Sequence, residues 1–228
     1  MRNKYIVSNY EDLLVTIVNI LDVNSIKYWI TDGTLLGVIR DGRLITWDND
    51  IDIAVHSDIY TQDFIKNIFI DHGFSYQETL PEMSCLHFKN NGLNFDISFY
   101  EKKNNNSVVK WKKNTDNFFI NIYLSIVREL FDFDVNSCRD YKSTLRLIIL
   151  YFLNFSLARK VKVVIYHHAR NKYVEVLMEI PTIFLELSSL SYKNIILSVP
   201  SKSKEVLEIC YGKNWKHPLE EYKSERFL

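Results

Sequence analysis

The chain has no excess of charge of either sign, no cysteine spacing suited to a disulfide frame, no apolar run of membrane length and no repeat or low-complexity tract. Each absence removes a class of protein. Basic and acidic side chains both number 28, so no global field draws in a nucleic-acid duplex, and any phosphate chemistry has to rest on local sites. Cys85, Cys138 and Cys210 are odd in number, far apart and outside C-x-x-C spacing, which reads as reduced core residues in a reducing compartment. The opening stretch, MRNKYIVSNYEDLL, is charged and polar where a secretory signal needs an unbroken apolar core, so a cytoplasmic location is expected. The longest apolar run, Leu147 to Ala158, covers roughly 18 Å as a helix, short of the ~30 Å of a hydrocarbon core. Arg159, Lys160 and Lys162 follow it, and two readings stand: an interfacial helix giving peripheral contact with the inner face of a membrane, or a core helix with a solvated basic end.

What remains is ample for folding: 228 residues, 47% apolar and 14% aromatic, enough for one substantial domain or two small ones. Ser8 to Leu21 predicts a helix, with Ser8 and Glu11 as a capping box and Leu13, Leu14, Ile17, Ile20 and Leu21 at helical period. Tyr28 to Thr31 reads as a short strand running into Asp32-Gly33-Thr34, and Leu35 to Arg40 as a short helix ended by Asp41-Gly42. Asp50 to Val55 alternates acid and aliphatic, a strand with one buried face. A helix is expected from Ile59 to about His72, capped by Ser57 and stopped by Gly73. Asn91-Gly92 between two strand-like runs signals a two-residue hairpin, with Asp96 on the returning strand. Lys102 to Asn106 reads as an exposed loop. Further on, Cys138 to about Asn171 predicts helix, Tyr173 to Val199 short strands, and Ser201 to Tyr211 a helix stopped by Gly212. The expected class is α+β, a mixed-sheet core over residues 1–125 flanked by helices, with a more helical C-terminal portion, 126–228, packed on it.

Asp48, Asp50 and Asp52 fall within five residues. Like charges so close repel, so a folded chain keeps them in water or gives them a cation. On a strand Asp50 and Asp52 project from one face about 6.5 to 7 Å apart, and Asp48 joins the row if the strand starts early. Carboxylates so placed suit Mg²⁺, with Mn²⁺ as the alternative. A lone D-x-D is weak, since roughly one is expected by chance here; Asp132 and Asp134 in FDFD repeat the spacing without a glycine turn and read as surface residues. Upstream of the first pair, Gly33 and Thr34 sit at a strand-to-helix turn whose amides make an anion cradle, and Arg40 is placed for a bidentate phosphate contact. Downstream, Asp96 in NFDIS faces the acid row if its strand neighbours Asp50 to Val55, and would complete a metal shell or accept a proton. Tyr28-Trp29 and Trp47 suit either a cation–π cage for a quaternary ammonium or the core.

GTLLGVIRDGRLITWDNDIDIAV, Gly33 to Val55, closely resembles the signature of the LicD and fukutin-type phosphotransferases, a branch of the nucleotidyltransferase-fold superfamily: a glycine turn, a spacer, D-h-D-h on a strand and a later acid on a neighbouring strand. Pro200, Tyr211, Gly212, Trp215 and Pro218 resemble the family's closing segment. Asn49 stands where many members carry Asp, and Thr46 where Pro is common; neither removes an expected ligand. The resemblance implies a nucleotidyltransferase-like fold and transfer of a phospho-alcohol group, such as phosphocholine, from a CDP-alcohol donor to a hydroxyl of a cell-surface glycan, which for some acceptors is lipid-linked, with release of CMP. It assigns Asp50, Asp52 and Asp96 to catalysis and metal binding, and Gly33, Thr34, Arg40 and Asp48 to the nucleotide and phosphates. The same motif set serves nucleotidyltransferases that move a nucleoside monophosphate from an NTP. A D-x-D glycosyltransferase is disfavoured because only 47 residues precede Asp48, too few for the α/β half that such enzymes place ahead of the motif. A degenerate binding module is disfavoured because every expected ligand is still acidic.

Overall fold

The structure is a computed structural model and describes residues 7–77, 84–113, 117, 119–120 and 174–218. The first helix, α1 (Tyr10–Val23), presents Leu13, Leu14, Ile17, Val18, Ile20 and Leu21 to the core. Its N-cap is Asn9, whose side chain accepts from the Asp12 amide; the expected cap, Ser8, lies one residue further out and donates to the Asp12 carboxylate. Asparagine and serine cap comparably, so periodicity alone does not choose between neighbours.

The two-residue strand β1 (Trp29–Ile30) leads directly into α2 (Asp32–Asp41), which starts three residues earlier than predicted and takes Gly33 and Thr34 into its first turn. Strand β2 (Asp50–His56) follows, then α3 (Gln62–Asp71), capped by Thr61, with Gly73 in the left-handed region just beyond its end. The next strands are β3 (Ser75–Gln77), β4 (Cys85–Asn90), β5 (Leu93–Lys103) and β6 (Asn106–Lys113). Asn91 and Gly92 both take positive φ, 50° and 86°, as a type I′ turn requires, and fix the β4–β5 register. The loop expected at Lys102 to Asn106 is a tight turn between β5 and β6.

The sheet runs β1-β2-β5-β4-β3, with β6 pairing β5. It is mixed: β2 lies parallel to β5 and antiparallel to β1, and β4 runs antiparallel to β3 and β5. Alternation sorts its two faces. Ile51, Ile53, Val55, Phe95, Ile97, Leu86 and Phe88 are buried, and Phe69 of α3 packs its ring 4.9 Å from Phe95 and 5.2 Å from Phe88. The opposite face carries Asp50, Asp52, His87 and Asp96. Burying each such aromatic side chain contributes roughly 1.5–3 kcal/mol, which fixes the register that places the acids.

After residue 173 the described residues form β7 (Val174–Pro181), paired with β6, a 3₁₀ turn, the hairpin β8 (Leu187–Tyr192) with β9 (Ile195–Pro200), and α4 (Ser203–Tyr211), ended by Gly212 at φ 74°. This described part is therefore richer in strand than the helical portion expected. The α+β class holds. Residues 1–111 and 176–228 cluster as one compact unit and 112–175 as a second. The boundary expected at 125, the helices expected from Cys138 to Asn171, the basic trio and Asp132 and Asp134 lie outside the described residues. Among the described residues no helix is long and apolar enough to cross a membrane.

Candidate active site

The acid row is built by two strands and a helix end. Asp50 and Asp52 share one face of β2, and the parallel register sets Asp52 opposite Asp96 on β5. Asp48 precedes the strand, in a turn closed by its amide donating to the Ile45 carbonyl at 3.2 Å. Even so, carboxylate oxygens of Asp48, Asp50 and Asp52 lie within 4.8 Å of one another.

The helix end supplies more than a cradle. Both the Gly33 and the Thr34 amides donate to one Asp52 oxygen, Oδ2, at 2.9 and 3.3 Å, while the Asp52 amide donates to Thr34 Oγ1 at 2.8 Å. The Thr31 amide adds a bond to the Asp52 carbonyl at 3.1 Å. First-turn amides of a helix have no partner within it, and here a carboxylate from the adjacent strand caps them. In this structure both amides of the pair expected to seat a phosphate donate to Asp52. Asp32 makes the turn possible: it takes φ 48°, a left-handed conformation that aspartate tolerates better than most residues.

Gly33 leaves the Asp48 carboxylate its place. A Cβ there would sit 2.1 Å from Asp48 Oδ2 and 3.2 Å from Asp52 Oδ2. Gly33, Thr34, Asp48 and Asp50 line one cavity with Tyr10, Leu44 and Ile45. The Tyr10 hydroxyl donates to the Asn49 carbonyl and so ties α1 to the turn before β2. Arg40 does not line this cavity: its Nε and Nη2 bond the two oxygens of Asp41 at 2.8 and 2.7 Å, a fork that satisfies the geometry expected of a phosphate contact. Tyr28 and Trp29 are core residues, 3% and 1% exposed, whereas Trp47 is 56% exposed.

Burial first, and the neighbouring acids second, push Asp50 up to about 7 and Asp52 well above the usual carboxylate range. Burial also raises Asp48, which shares a hydrogen bond with Asp50. Such a set is unfavourable in the charged state unless a cation neutralises it, and three oxygen donors within 4.8 Å suit a hard divalent ion. The donor set therefore fits Mg²⁺ or Mn²⁺, with Asp96 facing Asp52 across the strand pair.

Two neighbours escaped the sequence reading. His87, directly opposite Asp96 on β4, donates from Nδ1 to Asp96 Oδ1 at 2.6 Å. Cys85 lies two residues earlier on the same face, its thiol held well above the ordinary range by burial and then by Asp96. The signal for both is the two-residue turn, which makes each step back from Asn90 a step forward from Leu93 and so sets His87 against Asp96.

Residues 25–137 match the family described as "LicD/FKTN/FKRP, nucleotidyltransferase domain". Ribitol 5-phosphate transferase FKRP of Homo sapiens is 38% identical over 40 residues, which are 18% of this chain and 8% of that protein. Uncharacterized protein RP689 of Rickettsia prowazekii (strain Madrid E) is 50% identical over 40 residues, 17% of this chain and 15% of the relative. The matched segment thus spans less than a sixth of either curated relative. Among solved structures, the lincosamide antibiotic adenylyltransferase LnuA, lincomycin-bound, overlays with a TM-score of 0.43 at 14% identity, covering 88% of this chain and 85% of its own.

Proposed function

We propose that this chain, whose residues 25–137 are a nucleotidyltransferase domain of the LicD/FKTN/FKRP family, is a metal-dependent phosphotransferase that moves a phospho-alcohol group from a CDP-alcohol to a glycan hydroxyl and releases CMP. The observation that carries the reading is the convergence of Asp48, Asp50 and Asp52 beside a helix N-terminus, with Asp96 opposite on the parallel strand. The cytidine donor and the glycan acceptor follow from the family resemblance, and a relative named as a ribitol 5-phosphate transferase is in keeping with a phospho-alcohol cargo.

In this mechanism Asp50 and Asp52, with Asp48 beside them, would hold Mg²⁺, or Mn²⁺, which would offset charge on the donor's diphosphate and ease departure of CMP, leaving Asp96 as the base. The amides of Gly33 and Thr34 keep Asp52 fixed in one orientation, so the ligand set is organised before the donor arrives. Gly33 leaves room for Asp48, whose carboxylate lines a small cavity with Tyr10, Leu44 and Ile45 beside the acid row. Asp96 takes the proton of the acceptor hydroxyl as its oxygen attacks the phosphorus in line with the CMP leaving group. Arg40, paired with Asp41, has to exchange that partner before it contacts a phosphate. Trp47 offers the aromatic face for a quaternary ammonium alcohol. The reaction is assigned to the cytoplasm, at the inner face of the membrane for a lipid-linked acceptor.

The test is incubation with Mg²⁺ and a panel of CDP-alcohols, following CMP. Release that requires both metal and an alcohol-bearing donor supports the proposal. Pyrophosphate release from an NTP, with no CMP from any CDP-alcohol, would replace it by nucleotidyl transfer on the same fold.

A further inference from the structure

We infer that Cys85, His87 and Asp96 form a second cation site, distinct in chemistry from the acid row and selective for a thiophilic divalent ion, Zn²⁺. One ligand atom from each residue, sulfur, imidazole nitrogen and carboxylate oxygen, lies within 4.8 Å of the other two. The arrangement comes from rigid elements: Cys85 and His87 are alternate residues on one face of β4, and the hairpin register sets Asp96 across from His87. Metal–ligand bonds of about 2.0–2.3 Å in a tetrahedral set need donors somewhat under 4 Å apart, so the cluster closes on an ion by a shift of about 1 Å or less. His87 Nδ1 and Asp96 Oδ1 already share a hydrogen at 2.6 Å, the place a cation would take. The His87 and Asp96 side chains are 31% and 21% exposed, which gives an ion its entry and leaves a fourth position for water.

Donor softness separates the two sites. The acid row offers oxygen alone and suits Mg²⁺; sulfur with nitrogen favours Zn²⁺ and Cd²⁺. On loading, the Cys85 Sγ–H proton leaves to solvent as the sulfur–metal bond forms, and the imidazole binds through Nδ1 with its remaining proton on Nε2. Thiolate and carboxylate then balance the ion's two charges, which lowers the penalty of holding it in a half-buried place. The consequence for activity rests on the proposed function: Asp96 cannot take the acceptor's proton while it ligates Zn²⁺, so this ion is an inhibitor whose action requires Cys85.

The metal-free full chain is titrated with Cd²⁺, and the ultraviolet thiolate-to-cadmium absorption is followed. One equivalent of that band is expected in the native chain and in Asp50→Asn/Asp52→Asn, none in Cys85→Ser or Cys85→Ala, and an affinity at least about tenfold weaker in His87→Ala. A band that survives both Cys85 variants, or is absent from the native chain, overturns the site; so does unchanged affinity in His87→Ala. In the CMP assay, Zn²⁺ is expected to inhibit the native chain and to spare Cys85→Ser; equal inhibition of the two overturns the regulatory role. Cadmium binding that depends on Cys85 in a chain without CDP-alcohol turnover sustains the site and removes the proposed function alone.

Discussion

Asp50→Asn is expected to stabilise the metal-free protein at neutral pH while abolishing turnover. In the unfolded chain Asp50 loses its proton near the ordinary value of 3.8, whereas burial, then Asp48 and Asp96, raise it to about 7 in the fold. Between those values the folded state holds more protons than the unfolded one, so stability falls as pH rises from about 4 and levels off above 7. The difference between 3.8 and about 7 corresponds to about 4 kcal/mol as an upper bound, and sharing a proton with Asp48 makes the contribution smaller. For a chain of this size each kcal/mol moves the melting midpoint by about 2–4 °C. The assay is thermal unfolding at pH 5 and pH 8, with chelator and with Mg²⁺. The native chain should melt several degrees lower at pH 8 than at pH 5 in chelator and regain the difference with Mg²⁺; the variant should show a smaller drop and a smaller recovery, the remainder belonging to Asp52 and Asp48, which burial also raises. A variant that melts lower than the native chain at pH 8 in chelator would refute the account, because it would mean that the Asp50 carboxylate stabilises the fold.

Gly33→Ala forces a methyl to within 2.1 Å of Asp48 Oδ2, so Asp48 has to swing out of the cavity; turnover should fall about 100-fold with circular dichroism unchanged, and a kinetically normal variant would show that Asp48 is dispensable. Thr34→Val removes the acceptor of the Asp52 amide and should lower unfolding free energy by about 1–3 kcal/mol in denaturant titration, with Thr34→Ser restoring most of it. Gly37→Ala meets backbone, at 2.7 Å from the Arg43 carbonyl oxygen and 2.9 Å from the Ile45 nitrogen; its loss of about 1–3 kcal/mol should come with weakened Mn²⁺ binding, since the displaced loop leads into Asp48. Tyr192→Phe removes the hydroxyl that donates to Glu11 at 2.9 and 3.1 Å and should cost about 0.5–1.5 kcal/mol with turnover unaffected, a measure of how independent the hairpin's anchorage is of the site.

The local chemistry of the site was readable in the linear chain because its parts obey short-range rules. Alternation along Asp50 to Val55 forces the acids to one face and the isoleucines to the other; Asn91-Gly92 demands a hairpin because both positions need positive φ; Gly212 stops a helix for the same reason. Element ends were less legible. Asn9 and Thr61 cap where Ser8 and Ser57 were expected, since several neighbouring side chains offer the same acceptor and the choice depends on where the helix axis is pulled by packing.

The sequence by itself determined that three acids stand in one row, behind a glycine turn and ahead of a later aspartate, because period and spacing are properties of the chain. Only the tertiary structure decided what each group faces. It gave the Gly33 and Thr34 amides to Asp52, turned Arg40 onto Asp41, sank Trp29 in the core and set His87 and Cys85 beside Asp96. Those outcomes depend on strand order, on the parallel pairing of β2 with β5 and on which donor comes nearest once the core has closed. Distances between residues far apart in the chain are fixed by packing, and no local pattern encodes them.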